Sequence, residues 1–270
     1  MIPNILSIAG SDPSGGAGFQ ADIKAISANG GYAMAVITAL IAQNTRGVQA
    51  VEFVNHALVS AQIASIRDDI RIDAVKIGML GDAAIIKVVA EVLAALSIPI
   101  VLDPVMVAKS GDRLLAPEVV KTLRAKLLPH ATVLTPNLPE AADLLSVPEA
   151  KSQTEMEKQA NAILEFGPSA VLLKGGRLAG GNCPDLLATS QGLIWLDGPR
   201  HPTQNTHGTG CTLSAALATQ VAHGHSLPEA ARIAKHYVCE AIRSSDSLDV
   251  GRGSVGPVHH FHGLWPKTAP

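Results

Sequence analysis

The run Asn205-Thr206-His207-Gly208-Thr209-Gly210-Cys211-Thr212-Leu213-Ser214 joins a glycine turn to an alanine-rich helical pattern and sets a thiol at the junction. Gly208 and Gly210 allow positive φ and a close approach of backbone to ligand. The helix that follows offers unpaired N–H groups and a positive dipole end. Such a turn suits an anion, phosphate above all, and the same field is expected to favour a thiolate at Cys211. The plain alternative is an ordinary glycine turn capped by Thr209, with Cys211 as a small apolar residue. The lysine that completes a P-loop is absent.

The elements that position this turn are legible in the hydrophobic pattern. Short aliphatic runs at residues 5–9, 33–42, 73–77, 98–102, 132–134 and 170–173 have the composition of buried parallel strands. Helical patterns separate them at 18–28, 56–69, 82–96, 117–128, 138–145 and 155–166. This alternation predicts βαβ units in a three-layer α/β sandwich with a mostly parallel central sheet. Residues 186–189 and 192–196 around Ser190-Gln191 read as an edge hairpin, followed by helices at 210–222 and 228–243. No repeat or linker divides the chain, so a single domain over residues 1–270 is expected.

In an open parallel sheet ligands gather at the carboxyl ends of the strands. There the sequence places the glycine cluster Gly10 to Gly18 with Asp22 behind it, then Gln43-Asn44-Thr45, Lys76-Ile77-Gly78-Met79, Asp103-Pro104, Asn137 with Glu140, and Lys174-Gly175-Gly176. Acidic and amide groups suit Mg²⁺ and a lysine suits phosphate, the combination phosphoryl transfer requires. Singly, each has a plain explanation: Asp103-Pro104 as a turn device, Glu140 as a first-turn helix acid, Lys174 as a surface charge. The N-terminal glycines fit neither the dinucleotide fingerprint nor the P-loop order.

Composition narrows the class. Of 270 residues 47% are hydrophobic, 3% aromatic and 16% charged, a compact aliphatic chain rather than a disordered one. A net charge of -2 leaves no electrostatic footprint for nucleic acid or anionic lipid, and the apolar run 33–42 is too short to span a bilayer. Cys183, Cys211 and Cys239 are odd in number and widely spaced, which favours free thiols in a reducing cytoplasm.

Taken in order, Ala9-Gly10-Ser11-Asp12-Pro13-Ser14-Gly15-Gly16-Ala17-Gly18, Gln43-Asn44-Thr45, Lys76-Ile77-Gly78-Met79-Leu80, Asp103-Pro104-Val105-Met106, Lys109-Ser110-Gly111, Thr135-Pro136-Asn137-x-x-Glu140-Ala141, Lys174-Gly175-Gly176 and His207-Gly208-Thr209-Gly210-Cys211 resemble the hydroxymethylpyrimidine/phosphomethylpyrimidine kinases of thiamine biosynthesis, members of the ribokinase-like superfamily. The similarity extends from residue 4 to about residue 262. It implies ATP-dependent phosphorylation of the hydroxymethyl group of 4-amino-5-hydroxymethyl-2-methylpyrimidine, then of the monophosphate. The pyrimidine is implied to lie against Gly10, Asp22, Gln43, Met79 and Val107. ATP and Mg²⁺ are implied at Asp103, Asn137, Glu140, Lys174, Thr209 and Lys235, with Asp103 and Glu140 as the metal carboxylates. Gly208, Gly210, Cys211 and Lys174 are the implied catalytic set, and a homodimer is the expected assembly.

Some relatives carry Glu where this chain has Gln43, and many superfamily members place an aspartate base where it has Cys211. A cysteine suits both steps: as a thiolate stabilised by the helix N-terminus it can take a proton from an alcohol, and as a neutral thiol it repels a phosphate dianion less than a carboxylate does. A pyridoxal kinase of the same superfamily is the nearest alternative. A non-catalytic pyrimidine-binding module would lack the acidic and lysine positions, which are present. Zinc binding through His259, His260 and His262 is a third possibility.

Overall fold

Strands that are apolar on both faces need cover on both faces, and the sheet receives it. The computed structural model describes residues 1–106 and 115–265. β1 (Asn4–Ala9), β2 (Tyr32–Ile37), β5 (Ala74–Ile77), β6 (Ile100–Leu102), β7 (Val133–Leu134), β8 (Ala170–Lys174), β9 (Asp185–Thr189) and β10 (Gly192–Leu196) form one sheet. Its order is β10-β9-β8-β7-β6-β5-β1-β2. Every pair from β2 across to β8 is parallel, whereas β8–β9 and β9–β10 are antiparallel. The predicted edge hairpin is therefore present.

Leu6, Ile8, Val75, Ile77 and Leu102 point to one face, where they pack with α2 (His56–Asp69), α3 (Ala83–Leu93), α4 (Pro117–Lys126), α5 (Leu138–Leu145) and α6 (Gln153–Leu164). Ile5, Ala74, Val101, Val133 and Leu172 point to the other, against α1 (Gly18–Ala28), α7 (Thr209–Ala222) and α8 (Leu227–Arg243). The small residues Ala215, Ala216 and Ala218 let α7 lie closely on this second face. Its N-terminus consequently arrives at the carboxyl edge of the strands.

One expectation is corrected. Residues 33–42 are not a single strand: the chain turns at Thr38, whose amide bonds to Ala9 and whose hydroxyl bonds to the Met79 carbonyl. It then leaves the sheet as β3 (Ala39–Asn44), which pairs with β4 (Gly47–Phe53) in a separate two-stranded sheet. This hairpin is tied back by Ser11, which donates its amide to Ala39 and accepts from Ile41, and by Thr45, which accepts from the Gly253 amide.

Candidate active site

The α7 N-terminus is shaped by Gly208, whose φ of 79° is left-handed and whose Cβ, had it one, would lie 1.7 Å from the Gly16 carbonyl oxygen. Only glycine fits both constraints. The first i→i−4 bond of the helix runs from Thr212 to Gly208, and among the described residues nothing accepts from the Gly210 and Cys211 amides. Those amides are open to a ligand oxygen. A Cβ at Gly210 would stand 3.2 Å from Asp103 Oδ2 and 3.4 Å from Lys174 Nζ, so the helix end abuts the ionic cluster.

That cluster joins three of the expected residues. Lys174 Nζ lies 2.9 Å from Asp103 Oδ1 and 4.0 Å from Glu140 Oε2, and all three side chains are largely buried. The Thr135 hydroxyl donates to the same Asp103 oxygen. Asn137 accepts from the Glu140 amide and Glu140 accepts from the Asn137 amide, a capping box that fixes the carboxylate at the start of α5. Asn137 thus orients Glu140 and keeps its NH₂ group for a ligand.

Burial, with the neighbouring charge of Asp103, pushes Glu140 up to about 7 against the pull of Lys174 and the Asn137 amide. Two buried carboxylates facing one another are the donor set of a divalent cation completed by phosphate and water, and they fit Mg²⁺ in kind and number. Lys174 stays above its ordinary value because Asp103 and Glu140 outweigh its own burial.

Cys211 departs from expectation. Although the residue keeps some exposure, burial around the thiol pushes it up to about 11, against Lys76 and the Gly18 amide, which both favour the thiolate. Desolvation outweighs the helix field, so the ligand-free thiol is neutral at neutral pH.

Asp22, expected against the ring, is engaged by partners within the protein. It is fully buried, accepts from the Ser7 hydroxyl at 2.6 Å, and holds the Lys76 Nζ 2.8 Å from both carboxylate oxygens. Burial works to raise the Asp22 carboxyl, whereas Asp22 keeps Lys76 firmly charged. The forked geometry is that of the ionised pair. It underlies the site, and its ammonium acts on the Cys211 thiol from within the protein. Lys76 was legible only as a charge inside an otherwise apolar strand.

The remaining expected residues fall into two places. A Cβ at Gly10 would stand 3.4–3.6 Å from Ile41, Met79 and Ala39, which with Val48 and Val105 form a small apolar cluster at the β3–β4 hairpin. Gln43 follows on the same inward face of β3. Val107 lies outside the described residues, as do Lys109, Ser110 and Gly111. Lys235 stands on α8, bonded to the Cys183 carbonyl and to Asp185, whose other oxygen accepts from the Gly175 amide beside Lys174. A cleft of about 320 Å³ lined by Trp195, Gly198, Lys235 and Cys239 opens next to it. The Thr209 hydroxyl donates to the Thr206 carbonyl in the turn before α7 and does not cap the helix, whose N-cap is Gly208.

Asp185 and the pair formed by His207 and Asp12 were missed, since partners 195 residues apart leave no local spacing signal. His260 bonds to Thr212 and His262 to the His259 carbonyl, and among the described residues no three His, Cys, Asp or Glu side chains converge on a metal position.

An open helix N-terminus facing a lysine and two carboxylates, at the carboxyl edge of a doubly covered sheet, defines a ribokinase-like phosphotransferase. The structure of the Staphylococcus aureus pyridoxal kinase in complex with ADP has the same fold, with a TM-score of 0.90, 34% identity and coverage of 98% of this chain and 95% of that one. The phosphomethylpyrimidine kinase of Clostridium difficile 630 matches with a TM-score of 0.79, 41% identity and coverage of 89% and 99%. The family model for phosphomethylpyrimidine kinase matches residues 12–259, and the chain belongs to that family. The hydroxymethylpyrimidine/phosphomethylpyrimidine kinase of Escherichia coli (strain K12) is 51% identical over 263 residues, 97% of this chain and 98% of its own length. That of Rhizobium meliloti (strain 1021) is 50% identical over 260 residues, 96% and 97% respectively.

Proposed function

We propose that the chain transfers the γ-phosphoryl group of ATP to the hydroxymethyl oxygen of 4-amino-5-hydroxymethyl-2-methylpyrimidine, and then a second phosphoryl group to the resulting monophosphate, two steps of thiamine biosynthesis. The observation that carries this is the open start of α7 against the ionic cluster, where a Cβ at Gly210 would stand 3.2 Å from Asp103 and 3.4 Å from Lys174. The ring lies against the apolar residues around Gly10 with Gln43 at its edge, and the hydroxymethyl arm points to Cys211. The nucleotide lies in the cleft beside Lys235, and its phosphates run past Gly175 to Lys174 and the open α7 amides.

The amides and Lys174 stabilise charge on the transferring group, the largest contribution in such chemistry. Mg²⁺ held by Asp103 and Glu140 would neutralise phosphate charge and orient the leaving group. In the first step the alcohol's proton passes to Cys211 in its thiolate form, which Lys76 and the Gly18 amide favour and whose own proton must first leave to solvent, while the phosphate monoester of the second is already ionised. Between turnovers the neutral thiol lets the monophosphate approach without repulsion.

No described helix is long and apolar enough to cross a membrane. The three free cysteines support a cytoplasmic enzyme, and the exposed apolar outer face of the hairpin, Leu40, Ala42 and Ala50, supports a homodimer. Purified protein with Mg-ATP and a panel of pyrimidine and pyridoxal alcohols, its products weighed by mass spectrometry, tests the reading. Mono- and diphosphate of the pyrimidine are expected, and faster turnover of pyridoxal would replace it.

A further inference from the structure

His207 and Asp12 close the floor between the N-terminal glycine loop and the hairpin. Asp12 accepts from the Ser14 amide and hydroxyl at one oxygen, and from the Ala17 amide and His207 Nε2 at the other, the last at 2.7 Å. A carboxyl group receiving that many donors is the ionised acceptor, so His207 Nε2 must carry the hydrogen. Burial opposes the ionised form, and the bonds from His207 and Ser14 overcome it.

The terminal group of Gln43 sits 3.3 Å from that same Nε2. An N–H already donating to Asp12 has no lone pair for an amide NH₂, so two donors cannot share this contact. The amide oxygen is the atom that belongs there, which turns the NH₂ group the other way. Gln43 shares the inward face of β3 with Ala39 and Ile41 of the apolar cluster around Gly10, and among the described residues its other terminal atom has no protein partner.

We infer that Asp12 and His207 are positioning residues that lock Gln43 with its NH₂ group toward that cluster, so that this chain selects a ring edge offering a hydrogen-bond acceptor. This rests on the reading that Gln43 faces the pyrimidine ring. A glutamate at the same position would give one oxygen to His207 and present the other to the ring. The preferred edge would then be a donor, the exocyclic amine in place of a ring nitrogen.

The test compares the parent pyrimidine alcohol, an analogue with the ring nitrogen next to the amine replaced by C–H, and an analogue lacking the amine. In the unsubstituted protein the first change is expected to raise KM about tenfold, the worth of one hydrogen bond, with kcat little altered. His207→Leu should shrink that ratio at least threefold, and His207→Gln, which keeps an N–H donor, should restore it. Gln43→Glu should move the sensitivity from the ring nitrogen to the amine, and this arm stands even where His207→Leu does not fold. An undiminished ratio in His207→Leu, or a Gln43→Glu variant still sensitive to the ring nitrogen, overturns the locking role. Equal KM values for all three compounds in both Gln43→Leu and the unsubstituted protein would instead remove Gln43 from the ring.

Discussion

Replacing Lys76 by methionine should destabilise the protein strongly and in a pH-dependent way. The side chain is fully buried, and its ammonium group holds both oxygens of a carboxylate that is itself fully buried. Methionine fills much the same volume but leaves Asp22 with the Ser7 hydroxyl as its one named donor. Stranding a buried charge in this way costs about 3–5 kcal/mol. Asp22 can escape by taking up a proton, which from an ordinary carboxyl value near 3.8 costs about 4 kcal/mol at pH 7 and about 1.6 kcal/mol at pH 5. The loss should therefore be about 4 kcal/mol at pH 7 and shrink on acidification. A carboxyl raised in the folded state gives stability that is present below its unfolded value and lost as pH rises. Adding Asp22→Asn to Lys76→Met should recover at least half, because the uncompensated charge is gone. Denaturant midpoints at pH 5 and 7, at unchanged slope, read all of this. A Lys76→Met variant within about 1 kcal/mol of the unsubstituted protein at pH 7 would refute the buried pair. A raised substrate KM in Asp22→Asn at unchanged stability would return Asp22 to the ring.

Glu140, pushed up to about 7, must shed its proton to hold a cation, so affinity for Mg-ADP should fall about tenfold per pH unit below 7 and level off above it. Calorimetric titration should find that dependence flattened in Glu140→Gln. Cys211→Ala should slow the first phosphorylation by about 10²- to 10⁴-fold and the second far less. Equal losses, in single-turnover assays of each step, would leave Cys211 as a contact residue. His260 is held down to about 3 by burial and nearby positive charge, so its contribution to stability is present above pH 6.5 and lost as pH falls toward 3. Chemical denaturation between pH 4 and 7 should show a slope shallower by up to about 1.4 kcal/mol per pH unit in His260→Gln.

Helices with clear boundaries were readable nearly to the residue, as in Gly18–Ala28 and Leu138–Leu145, because glycine and an Asn-x-x-Glu box punctuate their starts. The departure of β3 was not readable. Residues 33–42 are apolar except for Thr38, and what turns the chain there is the distant Met79 carbonyl. Asp103, Glu140 and Lys174 were legible because each closes a strand or opens the next helix, where ligands collect. The sign of the Cys211 shift was not, since a helix dipole can be inferred from sequence but the desolvation opposing it requires knowing what packs around the sulfur. Asp22 hid its partner for a similar reason. Its place after the first strand is right, but only the fold brings Lys76 to meet it from 54 residues away.

The bond from the Gly253 amide to Thr45 spans 208 residues, and His207 meets Asp12 across 195. Both contacts join a lid made early in the chain to segments made late. At about 5–20 residues per second, a ribosome that has produced the hairpin needs about 10–40 s more before its clasp exists. Once Met79 and Val105 have followed, the apolar residues around Gly10 have all been made, still without the tether at the hairpin tip, the histidine beside Gln43 and the anion-binding helix end. The residues around Gly10 are thus made before the helix end that would bind phosphate, so a chain stopped between residues 106 and 205 has that apolar cluster but not the start of α7.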